Sequence, residues 1–414
     1  MKDPIFSRLL ELHPKFSDLS LIRIKKLLKK LKFDENKLPN IIHIAGTNGK
    51  GSTASIIKSI LNQHNLTTHI YTTPHLVKFN ERIQLYSNNI SDKLLLHYLY
   101  LCEKINDGKL ITYFEITTAA ALIAYQDHPA DYLILEVGLG GRFDATNIIS
   151  KKKYAAITPI SLDHQEYLGN SLTKIAYEKL NIFNKKSINF INYQKPTVKE
   201  YADEFIKKNN IKAKKAGVDW EVKNTLYIDN KHSINLKSLS LKGYYQYENA
   251  GLAIALGKKI LGKNFDIKLI QKALKKVHWP GRFQKITKGK LKTKIKKSES
   301  IYLDGFHNID GAKAFIKNLN NKNSYLVCSF LNNKKFQAIL GLLQPHFKKI
   351  FVVPMNEANS IQKDDIKKTK TILMAKNISD SITKINIHSE NNSYVYFGGS
   401  LYFIGEVLKF NQKS

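Results

Sequence analysis

The sequence is poor in sulfur. Two cysteines, Cys102 and Cys328, stand among 414 residues, too few for a disulfide framework or a cysteine metal cluster and in keeping with a reducing compartment. Both are expected to pack inside rather than react. No apolar run is long enough to span a bilayer, so a globular protein without a membrane partner is expected. The start, Met1-Lys2-Asp3-Pro4, lacks the basic-then-apolar layout of a signal peptide, and the expected location is cytoplasmic. Arginine is scarce as well: of 66 basic residues only Arg8, Arg23, Arg82, Arg142 and Arg282 are arginine. Three of them (Arg82, Arg142 and Arg282) fall inside motifs, where a rigid planar fork can do what a flexible ammonium cannot. Internal repeats are also missing.

Lysine is what the chain has in excess, and the formal net charge is +32. Such a charge by itself suggests nucleic acid. Yet the lysines are spread along the whole chain beside abundant Asn and Ile, which reads as a bias in residue usage, so no nucleic-acid partner is expected. With 43% hydrophobic residues the length suits two domains, each with its own core.

The most informative stretch is Ile41-Ile42-His43-Ile44-Ala45-Gly46-Thr47-Asn48-Gly49-Lys50-Gly51-Ser52-Thr53, an apolar run, a glycine-rich turn and a helix-compatible segment from Thr53 to about Gln63. Glycines let the backbone curl until successive N–H groups converge, and a helix N-terminus adds partial positive charge, so the stretch reads as a phosphate cradle. Lys50 adds a full charge and Ser52 a hydroxyl that could reach magnesium. Gly51 stands between them, which departs from the standard Walker spacing and leaves a plain glycine turn as the alternative.

Further along, strand-like 67–72 leads into Thr73-Pro74-His75-Leu76 and then Glu81-Arg82-Ile83. A proline takes the chain out of regular pairing, so Thr73 and His75 should lie on a loop at the strand end, the edge that faces ligands in α/β folds. For His75 alone, a surface histidine is the simpler reading. Helical periodicity marks 94–105 and 114–125, and Tyr132-Leu133-Ile134-Leu135-Glu136 is an apolar strand closing on a carboxylate. Burying that carboxylate unpaired is costly; strand-end acids beside phosphate cradles hold magnesium, with a surface ion pair as the alternative. The glycine run after it ends at Asp144, and His164 again follows a strand, at 155–158. Alternating strands and helices argue a mainly parallel sheet covered on both faces. A polar hairpin region at about 222–241 and two helices at 243–263 and 269–277 follow. Trp279-Pro280-Gly281-Arg282-Phe283-Gln284 and a lysine-rich, low-apolar stretch to Lys297 mark a boundary, dividing the chain into 1–284 and 285–414. Beyond it come strands at 301–304, 325–328, 350–353 and 394–397 with helices between them. The expected fold is therefore α/β: a P-loop-containing, mainly parallel sheet domain followed by a smaller Rossmann-like α/β domain.

Seven motifs in order resemble the bifunctional dihydrofolate synthase and folylpolyglutamate synthase family, within the Mur ligase superfamily. They are Gly46 to Ser52, the Thr73-Pro74-His75-Leu76 and Glu81-Arg82-Ile83 pair, Leu135-Glu136-Val137-Gly138-Leu139-Gly140-Gly141-Arg142, Leu162-Asp163-His164, Glu178-Lys179, Pro280-Gly281-Arg282-Phe283-Gln284 and Asp304-Gly305-Phe306-His307-Asn308. The resemblance implies an ATP-dependent ligase that phosphorylates a carboxylate of dihydropteroate or of a reduced folate, after which the amine of L-glutamate attacks the acyl phosphate. It implies ATP contacts from Gly46, Thr47, Asn48, Gly49, Lys50, Gly51, Ser52, Asn249, Arg282, Asp304 and His307. Two magnesium ions are implied, with Ser52, Thr73, Glu136, His164 and Lys179 around them, Lys179 as a carbamylated lysine. Lys50, Glu136, His164 and Lys179 are the implied catalytic set. Thr112, Tyr113, Phe114, Glu115, Phe143, Asp144 and Ala145 are implied to line the pterin pocket, and relatives suggest a monomer. The chain departs from the pattern at Thr73, usually serine, at Ile309, usually proline, at Asn333-Lys334-Lys335, where relatives carry an acidic Asp-Lys-Asp run, and at Met355-Asn356-Glu357-Ala358, which lacks an arginine often found nearby. A ligase of the same superfamily acting on a peptidoglycan precursor and a nucleic-acid-binding NTPase are the competing readings.

Overall fold

The computed structural model describes residues 20–86, 88–319, 323–357, 359–367 and 369–412. Met1-Lys2-Asp3-Pro4, Arg8 and Ala358 lie outside the described residues. Three sheets organise the rest. The largest contains β1 (Asn40–Ala45), β2 (Thr68–Tyr71), β3 (Ile83–Leu85), β4 (Asn88–Asn89), β5 (Tyr132–Glu136), β6 (Lys152–Ile157), β7 (Ile188–Ile191) and β8 (Ala213–Lys215). Its order is β4-β3-β2-β5-β1-β6-β7-β8. Only the β2–β3 and β3–β4 pairings are antiparallel. A small antiparallel sheet follows, β9 (Trp220–Lys223), β10 (Leu226–Asp229) and β11 (Ser233–Asn235). The third sheet holds β12 (Gln284–Ile286), β13 (Ser298–Asp304), β14 (Ser324–Cys328), β15 (Lys349–Val352), β16 (Ile372–Met374) and β17 (Ser393–Gly398), in the order β12-β13-β17-β14-β15-β16.

The central strands are apolar along nearly their whole length because helices cover both faces. On β1, Ile42 and Ile44 point to the face covered by the helices Lys50–Gln63, Tyr244–Leu261 and Ile267–Lys276. Ile41 points the other way, toward the helices Ile22–Lys30, Asp92–Asn106 and Tyr113–Asp127. This two-residue alternation also sends His43 to the second face, where it is buried. The third sheet repeats the arrangement with a core on each face. Leu76, on the loop after β2, packs against one of those cores and ties the two large sheets together. Among the described residues no helix is long and apolar enough to cross a membrane.

Some elements differ from expectation. The helix after the cradle begins at Lys50, a turn earlier than Thr53. The lysine-rich stretch beyond Gln284 is structured: β12 pairs antiparallel with β13, and the helix Lys290–Lys294 buries Leu291, with Ile295 buried beside it. Ile286, Leu291 and Ile295 are its buried apolar anchors among the lysines. Likewise β16, three residues long, precedes the helix Ile378–His388 where a helix alone was expected.

Candidate active site

The C-terminal ends of β5, β1 and β6 converge on one point. The turn after β1 is stitched to the segment after β6: the amides of Thr47 and Asn48 donate to the Pro159 carbonyl (2.9 and 3.2 Å). Thr47 Oγ1 accepts from Ser161 N (3.0 Å) and donates to Ser161 O (3.1 Å). These two amides are therefore already engaged by protein. An anion would instead meet the first turn of the helix Lys50–Gln63, where the amides of Lys50, Gly51 and Ser52 have no backbone acceptor among the described residues. Gly49, which begins that helix, has φ +88, and a Cβ there would come 2.4 Å from Asn249 Oδ1. The left-handed backbone and the close approach both call for glycine.

Lys50 and Glu136 face each other across this point, Nζ to Oε1 4.0 Å, and Lys50 Nζ also donates to Thr47 O (3.2 Å). Burial moves both toward neutrality. It lowers the Lys50 pKa against the pull of Glu136, and it raises Glu136 to about 6 against the pull of Lys50. At that separation desolvation outweighs attraction, so the pair awaits further charge rather than satisfying itself. Thr73 N donates to Glu136 Oε2 (3.3 Å), bringing the loop after β2 to the same carboxylate. That loop is held by Glu81, whose carboxylate accepts from the amides of Leu76, Val77 and Lys78 (2.7, 3.0 and 2.9 Å). His75 is a loop-fastening residue: its Nδ1 accepts from Arg82 Nε (3.0 Å), and burial followed by Arg82 pulls its pKa down to about 3.

His164 and Lys179 approach from beyond β6. His164 takes φ +50 at the start of the helix Gln165–Leu168, and burial, reinforced by Lys334 and His307, lowers its pKa to about 3 despite Asp163. Its neutral ring is the form that ligates metal. Lys179 is buried on the helix Leu172–Leu180, with no hydrogen bond or ion pair for its amine among the described residues. Burial, then Lys50, lowers it to about 7. No three His, Cys, Asp or Glu side chains converge as a ready ligand cage among the described residues. What is available, one carboxylate, a neutral imidazole and hydroxyls of Ser52 and Thr73, fits an ion such as Mg²⁺ or Mn²⁺ that keeps water and substrate phosphates as its remaining ligands.

The raised Glu136 gives a pH-dependent expectation. Its folded pKa lies above the ordinary 4.5, so without metal its contribution to stability is present below about 4.5 and lost as pH rises through about 6. A divalent ion prefers the ionised carboxylate. The rise in Tm produced by saturating MgCl2 should therefore grow between about pH 5 and pH 7. Differential scanning fluorimetry across that range checks this, and a metal-induced shift of constant size would contradict it.

The third sheet closes the other side. Gln246 is fully buried on the helix Tyr244–Leu261; its Nε2 donates to Ser52 Oγ (3.3 Å) while its Oε1 accepts from Asn249 Nδ2 (3.0 Å). Asp304, at the end of β13, accepts from Tyr245 OH (3.0 Å), Phe283 N (2.9 Å) and Phe306 N (3.0 Å). Arg282 Nη1 donates to Gly305 O (3.3 Å). His307 has acceptors on both ring nitrogens, Gly305 O at Nδ1 (3.0 Å) and Asp163 Oδ2 at Nε2 (3.3 Å). Asn308 and Asn48 exchange side-chain amide bonds, Nδ2 to Oδ1 at 3.0 and 3.3 Å.

The residues expected around a pterin split into two groups. Thr112 and Glu115 form a capping box on the helix Tyr113–Asp127, and Arg23 Nε donates to Glu115 Oε2 (2.9 Å). Asp144 is also occupied: its oxygens accept from Gly138 N, Leu139 N, Thr146 N and Thr146 Oγ1, and His43 Nε2 donates on to Thr146 Oγ1 (2.8 Å). Ala145 is buried beside it. The side chains of Thr112, Glu115 and Asp144 are thus engaged by the protein itself. Half-buried rings make up the rest: Tyr113, Phe114 packed over Gly138, and Phe143 beneath the Arg142 guanidinium (4.4 Å). Sequence reasoning gave no site role to Asp163, Asn308 and Lys334, which it met only inside motifs, and did not single out Tyr245 or Gln246. Position was the available signal for several of them: Asp163 adjoins His164, Asn308 adjoins His307, and Gln246 lies one helical turn before Asn249.

The Mur ligase middle domain family matches residues 44–257. A dihydrofolate synthase/folylpolyglutamate synthase of Buchnera aphidicola (subsp. Acyrthosiphon pisum) is 31% identical over 403 residues, covering 94% of this chain and 93% of its own. The folylpolyglutamate synthase of Mycobacterium tuberculosis, solved with ADP, superposes with a TM-score of 0.86 at 25% identity, covering 99% of this chain and 98% of that one. A bifunctional folylpolyglutamate synthase/dihydrofolate synthase solved with Mn, AMPPNP and L-glutamate shares the fold, with a TM-score of 0.83 at 23% identity over 99% of this chain and 98% of that one.

Proposed function

Since the chain belongs to the dihydrofolate synthase/folylpolyglutamate synthase family of the Mur ligase superfamily, we propose that the convergence described above joins L-glutamate first to dihydropteroate and then to the γ-carboxylate of reduced folates. The enzyme is an ATP-dependent ligase of folate metabolism, and the donors around Glu136 suit a divalent metal ion. One observation carries the finer reading: Lys50 and Glu136 lie 4.0 Å apart, incompletely neutralised, where an anionic triphosphate must meet an anionic carboxylate.

Lys50 and the free amides of Lys50, Gly51 and Ser52 bind the β- and γ-phosphates and stabilise charge as the γ-phosphoryl group passes to the pterin carboxylate. ADP leaves, the glutamate amine attacks the acyl phosphate, an amide bond forms and inorganic phosphate departs. Arg282, Asp304 and His307 enclose the nucleotide from the side of the third sheet and Asn249 from the helix Tyr244–Leu261, which excludes water from the acyl phosphate. Tyr113, Phe114 and Phe143 receive the flat heterocycle. Thr73, Glu136 and Ser52 would hold one magnesium ion and His164 and Lys179 a second, and the two would supply positive charge to screen the approaching anions. Residues 1–284 form the ATP-binding part and 285–414 the closing part, and the enzyme acts as a cytoplasmic monomer.

Lys179 acts as a carbamate in this reading. Its buried amine, lowered to about 7, is partly unprotonated at neutral pH, and that neutral amine can attack carbon dioxide: an N–C bond forms as a C=O π bond opens onto oxygen, one proton leaves the nitrogen, and the neutral amine becomes an anion able to face metal. Enzyme prepared in carbon-dioxide-free buffer should lose most of its activity and recover it on addition of bicarbonate. With ¹³C-bicarbonate the active, magnesium-bound enzyme should show a carbamate carbon resonance that Lys179→Met lacks; unmodified Lys179 in that enzyme would refute the assignment.

Parallel assays of ADP release test the reaction itself: glutamate with dihydropteroate, glutamate with tetrahydrofolate, a UDP-muramoyl substrate, and DNA. Turnover is expected in the first two. Stimulation only by the muramoyl substrate or by DNA would replace this reading with a competing one.

A further inference from the structure

One carboxylate of the large sheet is surrounded by donors from the third sheet. Asp163 is 7% exposed. Its Oδ1 accepts from Lys334 Nζ at 2.5 Å, and its Oδ2 faces His307 Nε2 at 3.3 Å and Asn308 Nδ2 at 3.4 Å. The three donors sit on two loops, one after β13 and one after β14. Lys334 is itself only 9% exposed, unusual in a chain whose other lysines mostly face solvent. At the rim, Asn333 Nδ2 donates to Glu166 Oε1 (2.9 Å). The same Asp163 accepts at Oδ1 from the amide of His164 (3.0 Å) and sits within 4.0 Å of its ring.

From this geometry we infer that Lys334 is a positioning residue: its ion pair with Asp163 latches the third sheet onto the loop that carries His164, and so couples the arrangement of the two sheets to the phosphate cradle through Asn308 and Asn48. The inference rests on the ligase reading of the site. It assigns a role to a segment, 333–335, that departs from the family pattern on both sides of Lys334. An ammonium and a carboxylate buried together hold each other strongly, because removing one leaves the other charge buried without its partner. The pair is therefore suited to a latch that is firm when closed. Lys335 beside it is exposed.

The test compares wild type with Lys334→Met, Lys334→Arg, Asp163→Asn and the Lys334→Met/Asp163→Asn double variant. A latch predicts that Lys334→Met lowers kcat roughly 10- to 100-fold, with the KM for glutamate changed less than about threefold. Lys334→Arg should recover most of the loss, and the double variant should be no worse than its poorer parent, as for residues that act as a unit. Small-angle X-ray scattering of the metal-free and nucleotide-free proteins adds a readout independent of activity: Lys334→Met should be more extended than wild type and Lys334→Arg. If Lys334→Met instead raises the KM for glutamate at unchanged kcat, the lysine contacts that substrate directly and the latch is wrong. Identical scattering for all variants, or additive losses in the double variant, would also overturn it. Wild-type protein inactive with both folate substrates would count against the ligase reading, whereas the scattering comparison would still judge the latch.

Discussion

Replacing Lys50 by methionine is expected to lower kcat for ADP release by about 10³-fold, the scale of removing one preorganised charge-stabilising donor from a water-excluded site. Methionine keeps most of the volume and removes only the ammonium, so the expected loss is one of electrostatics. Stability should hardly change. In the free protein Lys50 is held against desolvation, and Glu136, its neighbour at 4.0 Å, already has a pKa of about 6 and can take up a proton when the lysine is gone. The variant should therefore keep its Tm within a few degrees near pH 6 while losing turnover. Single-turnover measurement of phosphoryl transfer separates this from slow product release. A variant retaining more than about a tenth of wild-type kcat would show that the cradle amides suffice and that Lys50 has another role.

The second large effect is expected at Gly51. Built onto the backbone, a Cβ there lies 2.6 Å from Cζ2 of Trp279 and 2.9 Å from two further indole atoms. A rigid double ring cannot bend away as a lysine tip could, so the helix start or the indole must shift. Overpacking of this kind costs about 1–3 kcal/mol. Because the displaced element presents the free amides, Gly51→Ala should weaken ADP binding by about 10- to 100-fold as measured by calorimetry. Trimming the partner should restore it: Gly51→Ala with Trp279→Leu is expected to bind ADP within about threefold of Trp279→Leu alone. A Gly51→Ala protein with unchanged affinity would mean that the indole yields freely. The contact also accounts for the glycine between the lysine and the hydroxyl, which looks anomalous when only spacing is considered.

Patterns written in neighbouring residues were the legible part of the chain. The apolar run into Gly46, the strand ending on Glu136, and the helices at 92–106 and 244–261 each declare themselves within one window, through burial periodicity or a turn residue. Elements of two or three residues, such as β4, β12 and β16, do not, because so short a strand derives its pairing from the sheet rather than from its own composition. Side-chain commitments were the harder part. Asp144 and Glu115 are carboxylates next to expected ligand positions, yet one is occupied by loop amides and Thr146 and the other by a helix cap and Arg23. Nothing local distinguishes a carboxylate that receives a ligand from one that receives backbone. Asp163 meets Lys334 across 171 positions, and Asn48 meets Asn308 across 260. Those meetings belong to the placement of one sheet on another, which spacing along a chain does not encode.

The order of the large sheet sets the span of the site. Glu136 closes β5, the phosphate turn leaves β1, and the segment carrying His164 leaves β6, three strands side by side with β1 in the middle. Main-chain pairing holds neighbouring strands at about 4.8 Å, so the sheet works as a ruler whose graduations no single side chain can alter. The ends of β5 and β6 therefore stand two spacings apart, about 10 Å, with the phosphate turn between them. The span of the site is in this sense a property of the backbone, inherited by whatever side chains stand at its edge.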